Sequence, residues 1–259
     1  MARTLEGKSA LVTGGGGGFG KAIARLLARD GAAVTLSGRK QDTLEKARDW
    51  LLSEVPDAKL SLIAGDATKE DDVKAAIARA VEHGGGIDIV VPTVGGGTGY
   101  GPISKVSVEA FVGDYMINVG SAFMMVKHAV PLMKPGSSFV FISSTAAAMS
   151  FVNLTSYCAS KAGIDHFMRT AANELGPKGI RLNCVRPGLT HTDGMDAAFQ
   201  RPGYTDSFLP TIPLGRTGIP NDIAEAVRFL AGPEAAWLTG QSFAVDGGNE
   251  MRMAPLPKG

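Results

Sequence analysis

The sequence predicts a doubly wound α/β protein, a parallel sheet of about seven strands with helices on both faces. Three observations carry this reading. Short apolar runs alternate with amphipathic stretches of helical length along the chain. The runs are almost continuously apolar, as strands covered on both faces must be. Alternation of this kind builds right-handed crossover units on a parallel sheet. The runs are Ser9–Thr13, Ala33–Ser37, Leu60–Ala64, Ile87–Val91, Ser138–Ile142, Arg181–Val185 and Ser242–Val245, bounded by Gly, Pro, Asp or Ser. Helices are expected over Phe19–Arg29, where Ile23, Leu26 and Leu27 share a face, and over Gln41–Glu54, Lys69–His83, Ser107–Lys134, Tyr157–Leu175 and Asn221–Leu230. No repeat, linker or compositional break divides the 259 residues, so one domain is expected over 1–259.

Composition excludes several function classes. With 26 basic and 25 acidic side chains the net charge is +1, which leaves no nucleic-acid footprint and no membrane-attracting basic face. The N-terminus enters an apolar run without an extended signal core. The uncharged stretch Pro135–Ser160 is broken by Ser137, Ser138, Ser143, Ser144, Asn153 and Ser156, so it does not read as a membrane span. A soluble, cytoplasmic protein is expected. Cys158 and Cys184 are too few for a disulfide framework and lack metal-ligand spacing. They are expected as small buried hydrophobes, with no metal site.

Glycine is the compositional excess: 34 residues, roughly 13% against ~7% on average. In a sheet of this type ligands bind beyond the carboxyl ends of the strands. Gly84–Gly86 precedes a strand and reads as a turn. Gly14–Gly20 and Gly95–Gly101 follow strands and are site candidates. The first joins strand to helix near the N-terminus, the context of a Rossmann-like pyrophosphate loop. Without a Cβ the backbone can turn tightly and approach a phosphate, and the helix N-terminus presents free N–H groups and a positive dipole end.

The spacing Gly14-x3-Gly18-x-Gly20 is followed by Ser144, Tyr157-x3-Lys161, Arg186-Pro187-Gly188 with Thr192, and Asp246-Gly247-Gly248. In that order and spacing the set resembles the short-chain dehydrogenase/reductase family, over the span from Leu5 to Asn249. The resemblance implies an NAD(P)-dependent oxidoreductase, ketoreductase-like or 3-oxoacyl-reductase-like, that interconverts a carbonyl and a secondary alcohol. It implies cofactor contacts at Thr13, Gly14, Gly17, Gly18, Phe19, Gly20, Asp66, Ala67, Gly95, Tyr157, Lys161, Pro187, Gly188, Thr190 and Thr192. In the family the match of Asp66 meets adenine, and that of Thr192 the nicotinamide carboxamide. A homotetramer or homodimer is also implied; the small and apolar residues of Ala122–Val130 and Ala162–Ala172 are candidates for that interface.

Cofactor preference rests on Gly38-Arg39-Lys40, at the end of the second strand. NAD selectivity needs an acidic group there for the ribose hydroxyls. Here Arg39 can instead pair with a 2′-phosphate through its planar fork. NADP(H) is therefore expected, with NAD(H) possible if the basic pair is merely solvated or stacks on adenine.

The expected chemistry centres on Tyr157 and Lys161, one helical turn apart on a common face. A free phenol ionises near pH ~10 and is a poor base at neutrality. A lysine ammonium and an oxidised nicotinamide nearby would favour the phenolate. Tyr157 can then give a proton to a carbonyl oxygen, or take it back in the reverse direction. Ser144, at the end of the fifth strand, can hydrogen-bond the same oxygen. Asn118 matches the family residue that holds a water on the proton path to lysine.

One departure stands out. Where the family usually carries Asn-Asn-Ala-Gly, this chain has Pro92-Thr93-Val94-Gly95. Pro92 lacks a ladder donor, and loss of the two Asn side chains is expected to remove a brace. Gly96–Gly101 is expected to be mobile and to line the substrate mouth. The segment 188–215 is long enough for a lid or binding loop, with Met195, Phe199, Tyr204 and Phe208 as either a substrate wall or packing residues. The substrate is expected to be a small or medium carbonyl/alcohol pair. The rival readings are a nucleotide sensor or scaffold without turnover, and an epimerase or dehydratase that returns the hydride internally.

Overall fold

The computed structural model describes residues 4–251, so the ends of the expected 1–259 domain lie outside the described residues. Chain order gives β1 (Ser9–Thr13), α1 (Gly18–Arg29), β2 (Ala33–Gly38), α2 (Gln41–Glu54), β3 (Leu60–Ala64), α3 (Glu70–Gly84) and β4 (Ile89–Pro92). Then follow α4 (Val108–Tyr115), α5 (Ser121–Ala129), β5 (Ser138–Ile142), α6 (Thr155–Leu175) and β6 (Arg181–Pro187). Two short helices, α7 (Asp196–Phe199) and α8 (Tyr204–Phe208), precede α9 (Pro220–Ala231) and β7 (Ser242–Val245). All strands are parallel, in the order β3-β2-β1-β4-β5-β6-β7. The order reverses between β1 and β4, which places the binding crevice at the carboxyl ends of those two strands.

Side-chain alternation along the strands builds two cores. Ala10, Val12, Val140 and Ile142 face α1 and α9 and join Ile23, Leu26, Leu27, Ile223 and Val227. Leu11, Phe139 and Phe141 face the opposite side, with Ile77, Met125, Ile164 and Met168. The central strands β1, β4 and β5 are buried on both faces, which is why they read as continuous apolar runs.

Several expectations need correction. The helix expected over Ser107–Lys134 is interrupted: Met116–Gly120 forms a π-turn between α4 and α5, and a 3₁₀ turn at Val130–Leu132, with Pro131 in it, closes the segment. Apolar periodicity averages over turns and does not register one extra residue. β4 begins at Ile89 rather than Ile87, because Asp88 is engaged with the start of β1: its carboxylate accepts the Ser9 N–H at 2.9 Å. Pro92 ends β4 and stays in register with Thr13 of β1, whereas the β4–β5 ladder stops at Val90↔Phe139. The missing Asn brace is supplied in another form. The Thr93 hydroxyl donates to Thr13 O at 2.6 Å, and the Thr93 N–H donates to Thr13 Oγ1 at 3.2 Å.

Gly84–Gly86 is also more than a turn. Gly85 caps α3 in the left-handed region (φ +72°) with its N–H on Val81 O. Gly84 lies so close to β1 that a Cβ would stand 2.2 Å from Ser9 Oγ. That hydroxyl already donates to Ala80 O. Gly84→Ala should therefore push α3 off β1, at a cost of about 1–3 kcal/mol. Thermal denaturation should show a drop of several degrees; an unchanged melting temperature would mean that α3 can slide without loss.

Candidate active site

The crevice is built first by backbone. Thr13 ends β1, and Gly14 follows at φ +62°. The chain turns back so tightly that a Cβ on Gly20 would stand 2.3 Å from Gly14 O, a backbone atom that cannot yield. The amides of Gly18, Phe19 and Gly20 open α1 without helical partners, since the first helical bond runs from Lys21 N to Gly17 O. A concave glycine turn ending in a helix N-terminus fits the pyrophosphate of a dinucleotide. Thr192 meets this loop from the other side: a Cβ on Gly18 would stand 2.8 Å from Thr192 Cβ.

The adenosine side lies at the ends of β2 and β3. Arg39 and Lys40 are exposed there. Asp66 Oδ1 accepts from the Thr68 amide and hydroxyl at 2.9 and 2.8 Å. These bonds hold its carboxyl below the usual range, helped by Arg39 and Lys69, against the opposing effect of burial. Arg39 and Asp66 thus sit within electrostatic reach of each other. Ala67 follows, half-buried.

The remaining groups converge at the end of β4. A Cβ on Gly95 would stand 2.7 Å from Asn118 Oδ1 and 2.9 Å from Lys161 Nζ. Lys161 is 4% exposed and donates to Ile142 O at 2.9 Å. Burial pulls its pKa down to about 8. Its Nζ lies 5.6 Å from the centroid of the half-buried Tyr157 ring. Burial pushes the Tyr157 phenol up, while a hydrogen bond with Ser144 opposes this. Ser144, and not Lys161, is the neighbour that lowers it. Ser144 also accepts the Ala146 N–H at 3.1 Å, which orients it at the end of β5.

Asn118, 1% exposed, sits in the π-turn. Its Nδ2 donates to Asp114 O and Gly96 O, each at 2.7 Å, and to Ser160 Oγ at 3.0 Å. Its Oδ1 accepts the Gly96 N–H at 3.2 Å. The widened turn presents a carbonyl that the side-chain amide satisfies, so Asn118 is held between the β4 loop and α6.

Some expected contacts turn inward. Phe19 packs on the α1–α9 core. Thr190 is 5% exposed, bonds its hydroxyl to Gly188 O and bridges Gly218. Pro187 ends β6, and Gly188 abuts Asp246. Cys184 is buried, but Cys158, beside Tyr157, is only half-buried. The aromatic residues of 188–215 are half-buried on one another: Phe199 stacks on His191 at 4.2 Å, and Tyr204 lies 6.0 Å from Phe199 and 5.4 Å from Phe208. Nor does the segment 96–101 hang free. Asp114 accepts the amides of Thr98 and Gly99, and Gly101 N–H donates to Asn153 O. Asp114 was missed from sequence. Its signal is a single charge within the otherwise uncharged run 110–126, four residues before Asn118.

A strand-order reversal, a glycine cradle and a Ser–Tyr–Lys group beside it define a dinucleotide-dependent oxidoreductase. Comparison with known proteins gives the family. A protein-family profile described as Enoyl-(Acyl carrier protein) reductase matches residues 15–250. The chain is 36% identical over 248 residues to the 7alpha-hydroxysteroid dehydrogenase of Escherichia coli (strain K12), covering 94% of each chain. A 7 alpha-hydroxysteroid dehydrogenase complexed with NADH and 7-oxo glycochenodeoxycholic acid superposes with a TM-score of 0.90 at 34% identity, covering 95% of each chain. A short chain dehydrogenase from Burkholderia cenocepacia J2315 in complex with NADP superposes with a TM-score of 0.88 at 29% identity, over 96% of this chain and 100% of that one. The chain belongs to the short-chain dehydrogenase/reductase family. It is an NAD(P)-dependent oxidoreductase of the carbonyl reductase/alcohol dehydrogenase type. Among the described residues no helix is long and apolar enough to cross a membrane.

Proposed function

We propose that Tyr157 is the acid/base of this reaction, that Ser144 holds the substrate oxygen, and that Lys161 and Asn118 maintain the proton path behind the phenol. The observation that carries this reading is the convergence of Tyr157, Ser144 and Lys161 at the carboxyl end of β5, beside the Gly14–Gly20 cradle. A nicotinamide held by the Gly14–Gly20 cradle would supply the hydride for the carbonyl carbon, or accept it from the alcohol in reverse. Ser144 and the Tyr157 hydroxyl together orient the carbonyl, and Tyr157 delivers the proton to its oxygen. Lys161, buried in the site, holds a proton that it can release near pH 8, as a relay behind a phenol requires. The substrate class is a small or medium ketone and its secondary alcohol. The test is a panel of ketones and alcohols, 7-oxo bile acids among them, with NADPH, NADP, NADH and NAD in parallel. Net cofactor oxidation or reduction supports the reading; binding without turnover would favour a sensor, and turnover without net change an epimerase.

NADP(H) is the preferred cofactor, with Arg39 as the selecting residue. A charge-assisted pair with a 2′-phosphate is worth about tenfold or more in affinity. Arg39→Ala should weaken NADPH binding by that factor and NADH binding by less than about twofold. Equal effects on both cofactors in a fluorescence titration would refute the assignment. We place the protein in the cytoplasm, where the unpaired Cys158 and Cys184 stay reduced. For assembly the exposed Phe111, Tyr115 and Phe123 on α4 and α5 offer an apolar face next to α6, and a homodimer or homotetramer would bury it.

A further inference from the structure

Asp114 is a strongly engaged carboxylate near the site that the reaction does not use. It is 1% exposed, and among the described residues it forms no ion pair. Four donors hold its charge instead. Oδ1 accepts the Thr98 N–H at 2.7 Å and the Thr98 hydroxyl at 3.1 Å. Oδ2 accepts the Gly99 N–H at 3.2 Å and the hydroxyl of Ser156. Ser156 precedes Tyr157 in α6, and Gly99 precedes Tyr100 in the β4 loop. One buried carboxylate therefore ties together the two segments that carry phenols at the site mouth. Tyr100 is exposed, accepts the Gly97 N–H at its hydroxyl, and is close enough to Tyr157 that ionisation of either phenol would oppose that of the other.

The loop lies flush against this clamp. A Cβ on Gly99 would stand 2.5 Å from Ser156 Oγ, and one on Gly97 would stand 3.1 Å from Asp114 Oδ2. Asn118 grips Gly96 at both its N–H and its carbonyl, one helical turn further on. Asp114 and Asn118 thus project from one helix to fix successive parts of one loop, Asn118 on the cofactor side and Asp114 on the side that opens to solvent.

We infer that Asp114 is a positioning residue for substrate, fixing the 98–100 wall against the start of α6 so that the carbonyl is held in line with Tyr157. The inference rests on Tyr157 as the acid/base. A neutral amide of the same size cannot replace the carboxylate, because Asp114→Asn turns one acceptor oxygen into a donor facing the Gly99 N–H. A buried carboxylate with four donors is a strong hold, and its loss leaves those donors unsatisfied.

The test compares Asp114→Asn, Ser156→Ala and Thr98→Val with the parent, using the panel ketone of highest kcat/KM as the probe. For Asp114→Asn the KM of that ketone should rise about tenfold or more, kcat should stay within about threefold, and the Kd for NADPH within about twofold. Ser156→Ala and Thr98→Val, each removing one bond, should move KM in the same direction by less. Hydrogen exchange should quicken at the amides of Thr98 and Gly99 and stay unchanged on α1. An unchanged KM in Asp114→Asn overturns the inference, as does a parallel loss of kcat and cofactor affinity. If Asp114→Asn does not fold, an unchanged KM in both of the other variants overturns it. Full turnover by Tyr157→Phe would overturn the underlying assignment instead, so the two failures are distinguishable.

Discussion

Tyr157→Phe is expected to lower kcat by about 10³-fold or more while leaving the Kd for NADPH within about twofold, because only the proton-transferring oxygen is lost. The ring, its packing and the neighbouring Lys161 stay in place, and the glycine cradle that holds the cofactor is built by β1 and α1, with no part supplied by the Tyr157 hydroxyl. Single-turnover kinetics with NADPH and a ketone from the panel would measure the chemical step directly. Substantial residual turnover would remove Tyr157 from its assigned role, and loss of cofactor binding would mean that the phenol is part of the cradle.

Lys161→Met should also abolish turnover, yet it should make the protein more stable at pH 7. Lys161 is 4% exposed, and burial lowers its pKa to about 8, against about 10.4 for lysine in an unfolded chain. Below pH 8 both states carry the proton, and the folded state bears a cost on the order of 3 kcal/mol. Between about pH 8 and 10.4 the unfolded chain keeps the proton that the folded one has released, so parent stability from this group rises with pH. An uncharged Met of similar length avoids the cost at every pH. Its melting temperature should exceed the parent's by several degrees at pH 7, and the gap should narrow toward pH 10. A variant that melts below the parent at pH 7, or a gap that ignores pH, would show that the Lys161–Ile142 hydrogen bond outweighs the cost of burying the charge.

The parts of this fold that were legible in the sequence are those set by local pattern. Short apolar or β-branched runs bounded by turn residues mark strands, so β1, β3, β5 and β7 fell at their expected limits. The cradle was legible because its glycines sit between a strand and a helix. The Ser144, Tyr157 and Lys161 group came from resemblance, and the structure brings the three together although Ser144 lies 13 residues from Tyr157. What stayed hidden depends on contacts between distant segments. Thr93 bracing Thr13, Gly84 meeting Ser9, and Asp114 holding Thr98 are all cross-segment pairings that no periodicity encodes. The phenol's upward shift was also hidden, since burial is a property of the folded chain.

The π-turn at Met116–Gly120 sets how this protein can vary in length. A single extra residue is held within the helix, and its position turns every side chain beyond it by about 100° relative to those before it. Deleting Met116 or Ile117 would heal the backbone hydrogen bonding and lengthen a regular helix. It would also break the angular relation between Asp114 and Asn118, so that one loop could no longer be gripped by both. A conservative substitution at Met116 or Ile117 should therefore be accepted, whereas deleting either residue should yield a folded chain that has lost its site. Length, more than composition, is what this helix has to conserve.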